Sequence, residues 1–314
     1  MYLLGLDFGG TKLAAGLWRV GDPALTRSAH CPTDGEAGAA GAVSAMSAMA
    51  RRLLTDVGVE PGQLGGVGVS FGGHVDAEAG VVLRSVHVPG WESRPLGTEV
   101  AAEFGVPAVV ENDANAAALA EWRFGAGQGQ SSLLYLTVST GIGGGIVLDG
   151  QVYRGRHGMA GEIGHTVVAP NGPLCPCGRR GCLEAIAAGP GIARAARERL
   201  AADPTRPSLL RERPDVQAQD VAAAAAAGDP LARETLDEAL GYLGLGVANA
   251  VNLLDPGCVV LGGGVTRMGS PLFSRVRQLV AEHALVPCDV RAAELGADVG
   301  VWGGLAIIAR RVGV

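Results

Sequence analysis

A chain of 314 residues with 48% hydrophobic content is long enough for two domains and has ample apolar material for their cores, so a globular soluble protein is expected. Its formal net charge of −6, with no basic cluster, argues against a nucleic-acid partner. No apolar run approaches bilayer length and Met1 leads almost directly into a strand-like segment, so neither a membrane span nor a signal peptide is expected, and the expected compartment is the cytoplasm.

The first expected element is a strand over residues 2–7. It is followed by Asp7-Phe8-Gly9-Gly10-Thr11-Lys12 and by an alternating apolar stretch that predicts a strand over 12–20. Of the 25 basic residues, Lys12 is the single lysine. An ammonium is a compact point charge suited to phosphate, and paired glycines let backbone N–H groups approach phosphate oxygens. A strand follows this turn, whereas a helix follows the glycines of a P-loop or dinucleotide turn, and no GxxxxGK[ST] segment occurs. Asp7 suits a hydrated magnesium ion. The plainer readings are a turn-initiating aspartate and a solvated hairpin lysine.

Strands are next expected over 65–70 and 107–111. The second ends in Glu111-Asn112-Asp113-Ala114-Asn115, ahead of an Ala-rich helical run. A helix N-cap explains one of these polar residues, whereas Asn112, Asp113 and Asn115 together suit a ligand that presents many hydroxyls. A glycine-rich segment, 125–131, then leads to a second strand–glycine–strand unit, with strands over 132–138 and 143–149 joined through Ser139-Thr140-Gly141-Ile142-Gly143-Gly144-Gly145. This echo of the first hairpin suggests two related halves, divided near 112–128, each offering a phosphate-facing hairpin to a central cleft.

Gly161-Glu162-Ile163-Gly164-His165 precedes Cys175, Cys177 and Cys182, a CxCx4C pattern that runs on to Glu184. Three thiolates and the imidazole of His165 have the type and number of ligands in a closed structural zinc site, with redox pairing of the cysteines as the other reading. Cys31, Cys258 and Cys288 are expected to be inert core thiols. Leu236, Leu240, Leu243, Val247, Val251 and Leu254 define one apolar helix face. That helix stops at Asp255-Pro256-Gly257, before a strand over 258–261, the glycines Gly262-Gly263-Gly264 and a helical run from Pro271. Alternating strands and helices imply an α/β protein. Glycines at the end of a parallel strand mark a ligand-binding position.

Taken together, these motifs resemble the bacterial ROK sugar kinases of the actin/hexokinase/Hsp70 superfamily. The resemblance rests on Asp7 to Lys12, Asn112 to Asn115, Ser139 to Gly145, Gly161 to His165, Cys175 to Glu184 and Leu261 to Gly264. It implies a two-domain actin/hexokinase-like (ribonuclease H-like) α/β fold with a central cleft. The C-terminal helix, roughly 299–313, would return to the N-terminal domain, giving domains of 1–116 plus 299–314 and 117–298. The implied activity is ATP-dependent hexose phosphorylation, at the 6-hydroxyl for aldohexoses, with Asp113 as general base. Gly72, Asn112, Asp113, Glu162, His165 and Glu184 would hold the sugar. Asp7, Gly9, Gly10, Thr11, Lys12, Thr140, Gly141, Gly143, Gly262 and Gly263 would serve ATP and its magnesium. His165, Cys175, Cys177 and Cys182 would bind structural zinc, and a homodimer or homotetramer is implied.

Two stretches depart from the glucokinase pattern. Val86-His87-Val88 precedes Pro89-Gly90-Trp91, with His87 near the position where an asparagine usually contacts sugar hydroxyls. Ser70-Phe71-Gly72-Gly73-His74 replaces the more usual Pro-Gly-Pro. N-acetylated hexosamines, mannose and fructose therefore stand beside glucose as candidate substrates. A sugar-sensing regulator of the same fold is the alternative from another class, although the phosphate hairpin begins at Asp7, with no helix-turn-helix segment before it.

Overall fold

The computed structural model describes every residue except Pro61, Val86 and His87, so the expected sugar contact of His87 lies outside the described residues. The run from Tyr2 to Phe8 forms β1 (Tyr2–Phe8), whose side chains are mostly buried on both faces, as a continuous apolar stretch requires. There follow β2 (Lys12–Arg19), β3 (Arg27–Pro32), α1 (Gly38–Val57), β4 (Leu64–Phe71), β5 (His74–Asp76), β6 (Val81–Arg84), α2 (Leu96–Phe104), β7 (Ala108–Asn112) and α3 (Asp113–Phe124). The chain continues through β8 (Ser132–Val138), β9 (Ile142–Leu148), β10 (Gln151–Val152), α4 (Leu183–Ala187), α5 (Gly189–Ala202), α6 (Ala218–Ala226) and α7 (Pro230–Leu254). It ends with β11 (Cys258–Gly262), α8 (Ser270–His283), β12 (Val290–Ala292) and α9 (Val299–Val312).

Each strand expected from the sequence is present, with ends no more than one residue away. β3 and β12 were not legible: β3 alternates exposed with half-buried residues and has no apolar run, and β12 is three residues long. The stop of α7 is legible because Asp255 takes a left-handed conformation, φ 44°, that ends the helix.

Two five-stranded sheets share one order. The first runs β3-β2-β1-β4-β7 and the second β10-β9-β8-β11-β12, so in each the first strand is central, flanked by the second on one side and the fourth on the other. β1, β4 and β7 are parallel, as are β8, β11 and β12. This common order is the structural counterpart of the repeated strand–glycine–strand pattern.

The chain divides into two compact units. The first comprises Met1–Gly129, Gly145–Ala160 and Glu294–Val314; the second comprises Gln130–Gly144 and Gly161–Ala293. In the first unit α9 lies directly on the sheet because glycines face one another: a Cβ on Gly68 would stand 1.7 Å from the Gly304 carbonyl oxygen, and one on Gly5 would stand 2.3 Å from that of Val301. On the opposite side Phe8, Phe71 and Trp91 pack edge to face, with Phe71 and Trp91 centroids 4.7 Å apart. No helix among the described residues is long and apolar enough to cross a membrane.

Gly68→Ala is expected to cost about 2–3 kcal/mol because backbone stands in its way. Gly241→Ala, inside α7 with open space around it, is expected to add about 0.5–1 kcal/mol. Urea denaturation of both variants checks the pair, and equal effects would contradict the packing described.

Candidate active site

Strand register in the first unit sets the site. Asp7 on β1 is opposite Ser70 on β4, which is opposite Glu111 on β7; one residue further on, Phe8, Phe71 and Asn112 are aligned. Polar groups thus gather at the C-terminal ends of three parallel strands, where α/β sheets place ligand sites. The hairpin after β1 closes as Gly9 N–H donates to the Lys12 carbonyl at 3.1 Å. A Cβ on Gly9 would lie 2.8 Å from that oxygen, so the turn requires glycine. Thr33 Oγ1 donates to the Gly9 carbonyl at 2.8 Å and Lys12 Nζ to that of Ala297 at 3.1 Å, tying the hairpin to the turn before α9.

Asp7 accepts from Ser70 Oγ at 3.1 Å. Burial, and then the charge of Asp113, push its carboxyl up from 3.8 to about 6, against the opposing pull of Ser70 and Lys12. Gly300 in the first turn of α9 leaves the space that this carboxylate occupies, since a Cβ there would meet it at 2.3 Å. Asn112 caps α3, its Oδ1 accepting from the N–H groups of Ala114 at 3.0 Å and Asn115 at 3.1 Å. Its Nδ2 donates to the Gly73 carbonyl and to Asp113 Oδ1. Asp113, exposed at the start of α3, thereby has one carboxylate oxygen oriented, while a Cβ on Gly72 would stand 3.6 Å from the other.

In the second unit the glycine turn after β8 is closed by Ser139 N–H donating to the Gly141 carbonyl at 2.8 Å. Glu184, at the start of α4, accepts from Ile142 N–H at 2.9 Å, and a Cβ on Gly141 would collide with its carboxylate at 2.6 Å. Glu184 therefore braces the hairpin as well as standing beside Cys175, whose Sγ lies 3.9 Å away. Next to the turn is a cavity of about 550 Å³ lined by Thr140, Gln217, Ala218, Gln219, Gly264 and Arg267 among others. Gly262 is packed under the Tyr135 hydroxyl, where a Cβ would stand 2.6 Å from oxygen; Gly264, not Gly262 or Gly263, lines the cavity.

His165, Cys175, Cys177 and Cys182 come together with one potential ligand atom each, all within 4.8 Å of one another. His165 turns Nδ1 toward Cys175 Sγ at 3.7 Å and Nε2 toward Glu162 at 3.9 Å. Burial pushes the Cys175 thiol up to about 12 and raises that of Cys182, so a cluster of thiolates here requires a cation. Three sulfurs and one imidazole nitrogen at this spacing fit zinc. Cys258 is buried, as expected of a core thiol, whereas Cys31 and Cys288 are only half-buried.

A model of the ROK family matches residues 3–311. The chain belongs to the ROK family. The ROK hexokinase of Thermus thermophilus is 37% identical with a TM-score of 0.83, and 99% of each chain is covered. A ROK glucokinase from Streptomyces griseus, solved in complex with glucose and AMPPNP, is 34% identical with a TM-score of 0.80, covering 99% of this chain and 100% of that one. The glucokinase of Halalkalibacterium halodurans is 36% identical over an alignment 317 positions long that covers 96% of this chain and 93% of the relative. The fold of this ROK chain is accordingly the actin/hexokinase-like α/β fold.

Within the first unit the structure of this ROK protein brings together Asp7, Gly9, Lys12, Gly72, Asn112 and Asp113. Gly10 and Thr11 are exposed at the same turn, Thr140 and Gly141 stand in the corresponding turn of the second unit, and Gly143 follows it in β9. Sequence reasoning missed Gly300, Arg154 and the cavity residues Gln217, Gln219 and Arg267. Gln217 reads as an ordinary helix start, capping α6 through a reciprocal bond with Asp220, and nothing in its neighbours signals a cavity.

The folded chain binds a proton at Asp7 more tightly than the unfolded chain, so this group makes stability fall as pH rises from about 4 to about 6, and the cost is complete above 6. Asp7→Asn is therefore expected to be more stable than wild type at pH 7.5, by roughly 1–3 kcal/mol in metal-free protein. The gap should close below pH 4. Thermal melts across that range check this, and a variant less stable at pH 7.5 would contradict it.

Proposed function

We propose that this ROK protein is an ATP-dependent hexose kinase that transfers the γ-phosphoryl group to a sugar hydroxyl, the 6-hydroxyl of glucose or a related aldohexose, with Asp113 as general base. The observation that carries the reading is the Asp113 carboxylate itself: exposed at the start of α3, and oriented by Ala114 N–H at 2.9 Å and Asn112 Nδ2 at 3.0 Å. The two glucokinases above, each about one-third identical over nearly the whole chain, put glucose first among the candidate sugars.

Phosphoryl transfer asks a protein mainly to position reactants and neutralise charge. The sugar hydroxyl gives its proton to Asp113 as its oxygen bonds to the γ-phosphorus. The bond from that phosphorus to the β–γ bridging oxygen breaks, and ADP leaves. Lys12 and the N–H groups of the two glycine hairpins offset charge on the phosphates, while the cavity beside Thr140 and Gly264 takes the adenosine. Asp7 would hold magnesium through water, and the ion would supply charge neutralisation at the phosphates. Asn112, Glu162, His165 and Glu184, with the backbone at Gly72, would hydrogen-bond sugar hydroxyls; one lone pair of a carboxylate oxygen that already accepts an N–H remains available for this.

His165, Cys175, Cys177 and Cys182 would hold zinc in a closed set that orders the loop and leaves no position for substrate. His165 then presents its second nitrogen to the sugar in an orientation set by the metal. A homodimer or homotetramer working in the cytoplasm completes the proposal.

ADP release should be measured with MgATP and glucose, mannose, fructose, N-acetylglucosamine or N-acetylmannosamine. Turnover on at least one sugar is expected. Asp113→Asn should lose ~10²–10⁴-fold of it while binding the sugar with nearly unchanged affinity. Near-normal turnover in the variant would remove Asp113 from the role of base. Metal analysis of protein purified without chelator should find about one zinc per chain, and Cys182→Ser should lose it; a wild-type content well below one per chain would count against the four-ligand site.

A further inference from the structure

Glu111 precedes the Asn112–Asp113 turn and its side chain is only 3% exposed, yet it is a carboxylate with four donors around it. Its Oε2 accepts from Arg154 Nε at 2.8 Å and also from Arg154 Nη2. Its Oε1 accepts from Asn112 N–H at 3.1 Å and from Asn115 Nδ2 at 3.2 Å. One oxygen thus takes the guanidinium and the other takes the turn. Asn112 passes the constraint on, through the cap of α3 and through the bond from its Nδ2 to Asp113 Oδ1.

We propose that Arg154 is a positioning residue for phosphoryl transfer, holding Glu111 so that Glu111 holds the Asn112–Asp113 turn in the orientation the base requires. The proposal rests on Asp113 being the general base. Arg154 follows β10, in a loop closed by Ala160 N–H donating to the Arg154 carbonyl at 3.0 Å, so the guanidinium comes from a fixed backbone position. The Arg154 side chain is 39% exposed, and it sets a guanidinium against a carboxylate that is otherwise buried. Two N–H groups on one oxygen also fix direction, which a lysine ammonium does not do. Without the guanidinium, Glu111 would turn toward water or draw water in, and both motions release Oε1 from the turn.

The test compares wild type, Arg154→Met, Arg154→Lys and the double variant Arg154→Met/Glu111→Gln. Arg154→Met should lower kcat about tenfold or more with KM for ATP within about twofold, because a misplaced base slows the chemical step and leaves nucleotide binding intact. Arg154→Lys, which keeps the charge, should fall between the two and reports on the proposal even where the methionine variant folds poorly. The double variant should recover much of the lost kcat, since glutamine keeps an acceptor for Asn112 N–H and Asn115 and removes the unpaired charge.

Hydrogen exchange on the same proteins should show faster exchange at Asn112, Ala114 and Asn115 in Arg154→Met. Unchanged kcat and exchange, no rescue in the double variant, or a raised KM for ATP at constant kcat would each overturn the proposal; the last would put Arg154 on the nucleotide instead. Wild-type protein without turnover on any hexose would instead remove the kinase reading, and exchange, which needs no catalysis, would still decide whether Arg154 orders the turn.

Discussion

The close approach of α9 to β1 and β4 is the constraint on which the first unit depends. Gly5, Gly68 and Gly304 leave no side chain between helix and sheet backbone, so α9 sits nearer the sheet than any residue with a Cβ would permit. That depth brings the first turn of α9 against Asp7, where Gly300 makes the room, and brings Ala297 within reach of Lys12. A helix N-terminus favours negative charge, so this packing also supplies part of the environment in which a carboxylate and a phosphate can share a site. The glycines at these positions serve contact between elements, as Gly141 does against Glu184, while Gly9 serves its turn.

The same arrangement carries an electrostatic conflict. Asp7 is pushed up to about 6 because it is removed from water and faces Asp113. A fold selected for stability alone would place an amide there; a carboxylate is useful when a cation and a polyphosphate arrive together to relieve the repulsion. Glu111 shows the opposite solution, a buried carboxylate with a full set of donors. One acid is buried beside a like charge, and the other has its acceptors satisfied by the residues around it.

Much of the fold was legible from periodicity and glycines: the strands, the long apolar face of α7 and its stop at Asp255, and the four residues that gather around one point at His165. The C-terminal helix was placed by resemblance to a family, not by its own pattern. What escaped the sequence depends on distant pairs. Arg154 meets Glu111 across 43 positions, and Glu184 meets Ile142 across 42, and neither spacing has a local signature. Gly300 looked like one glycine among 50. The cavity beside Thr140 is made by four short segments whose residues are unremarkable one at a time. Position at a strand end does not say which face a glycine turns: Gly262 lies under the Tyr135 hydroxyl, while Gly264 lines the cavity.

The central claim is that a hexose hydroxyl receives phosphate under the control of Asp113, and the most direct test is to watch the phosphorus. A ³¹P spectrum of the protein with MgATP and isotopically labelled glucose should show ATP giving way to ADP and a phosphomonoester coupled to the protons at sugar C6. Loss of ATP with only inorganic phosphate formed, for glucose and for each alternative hexose, would contradict the account.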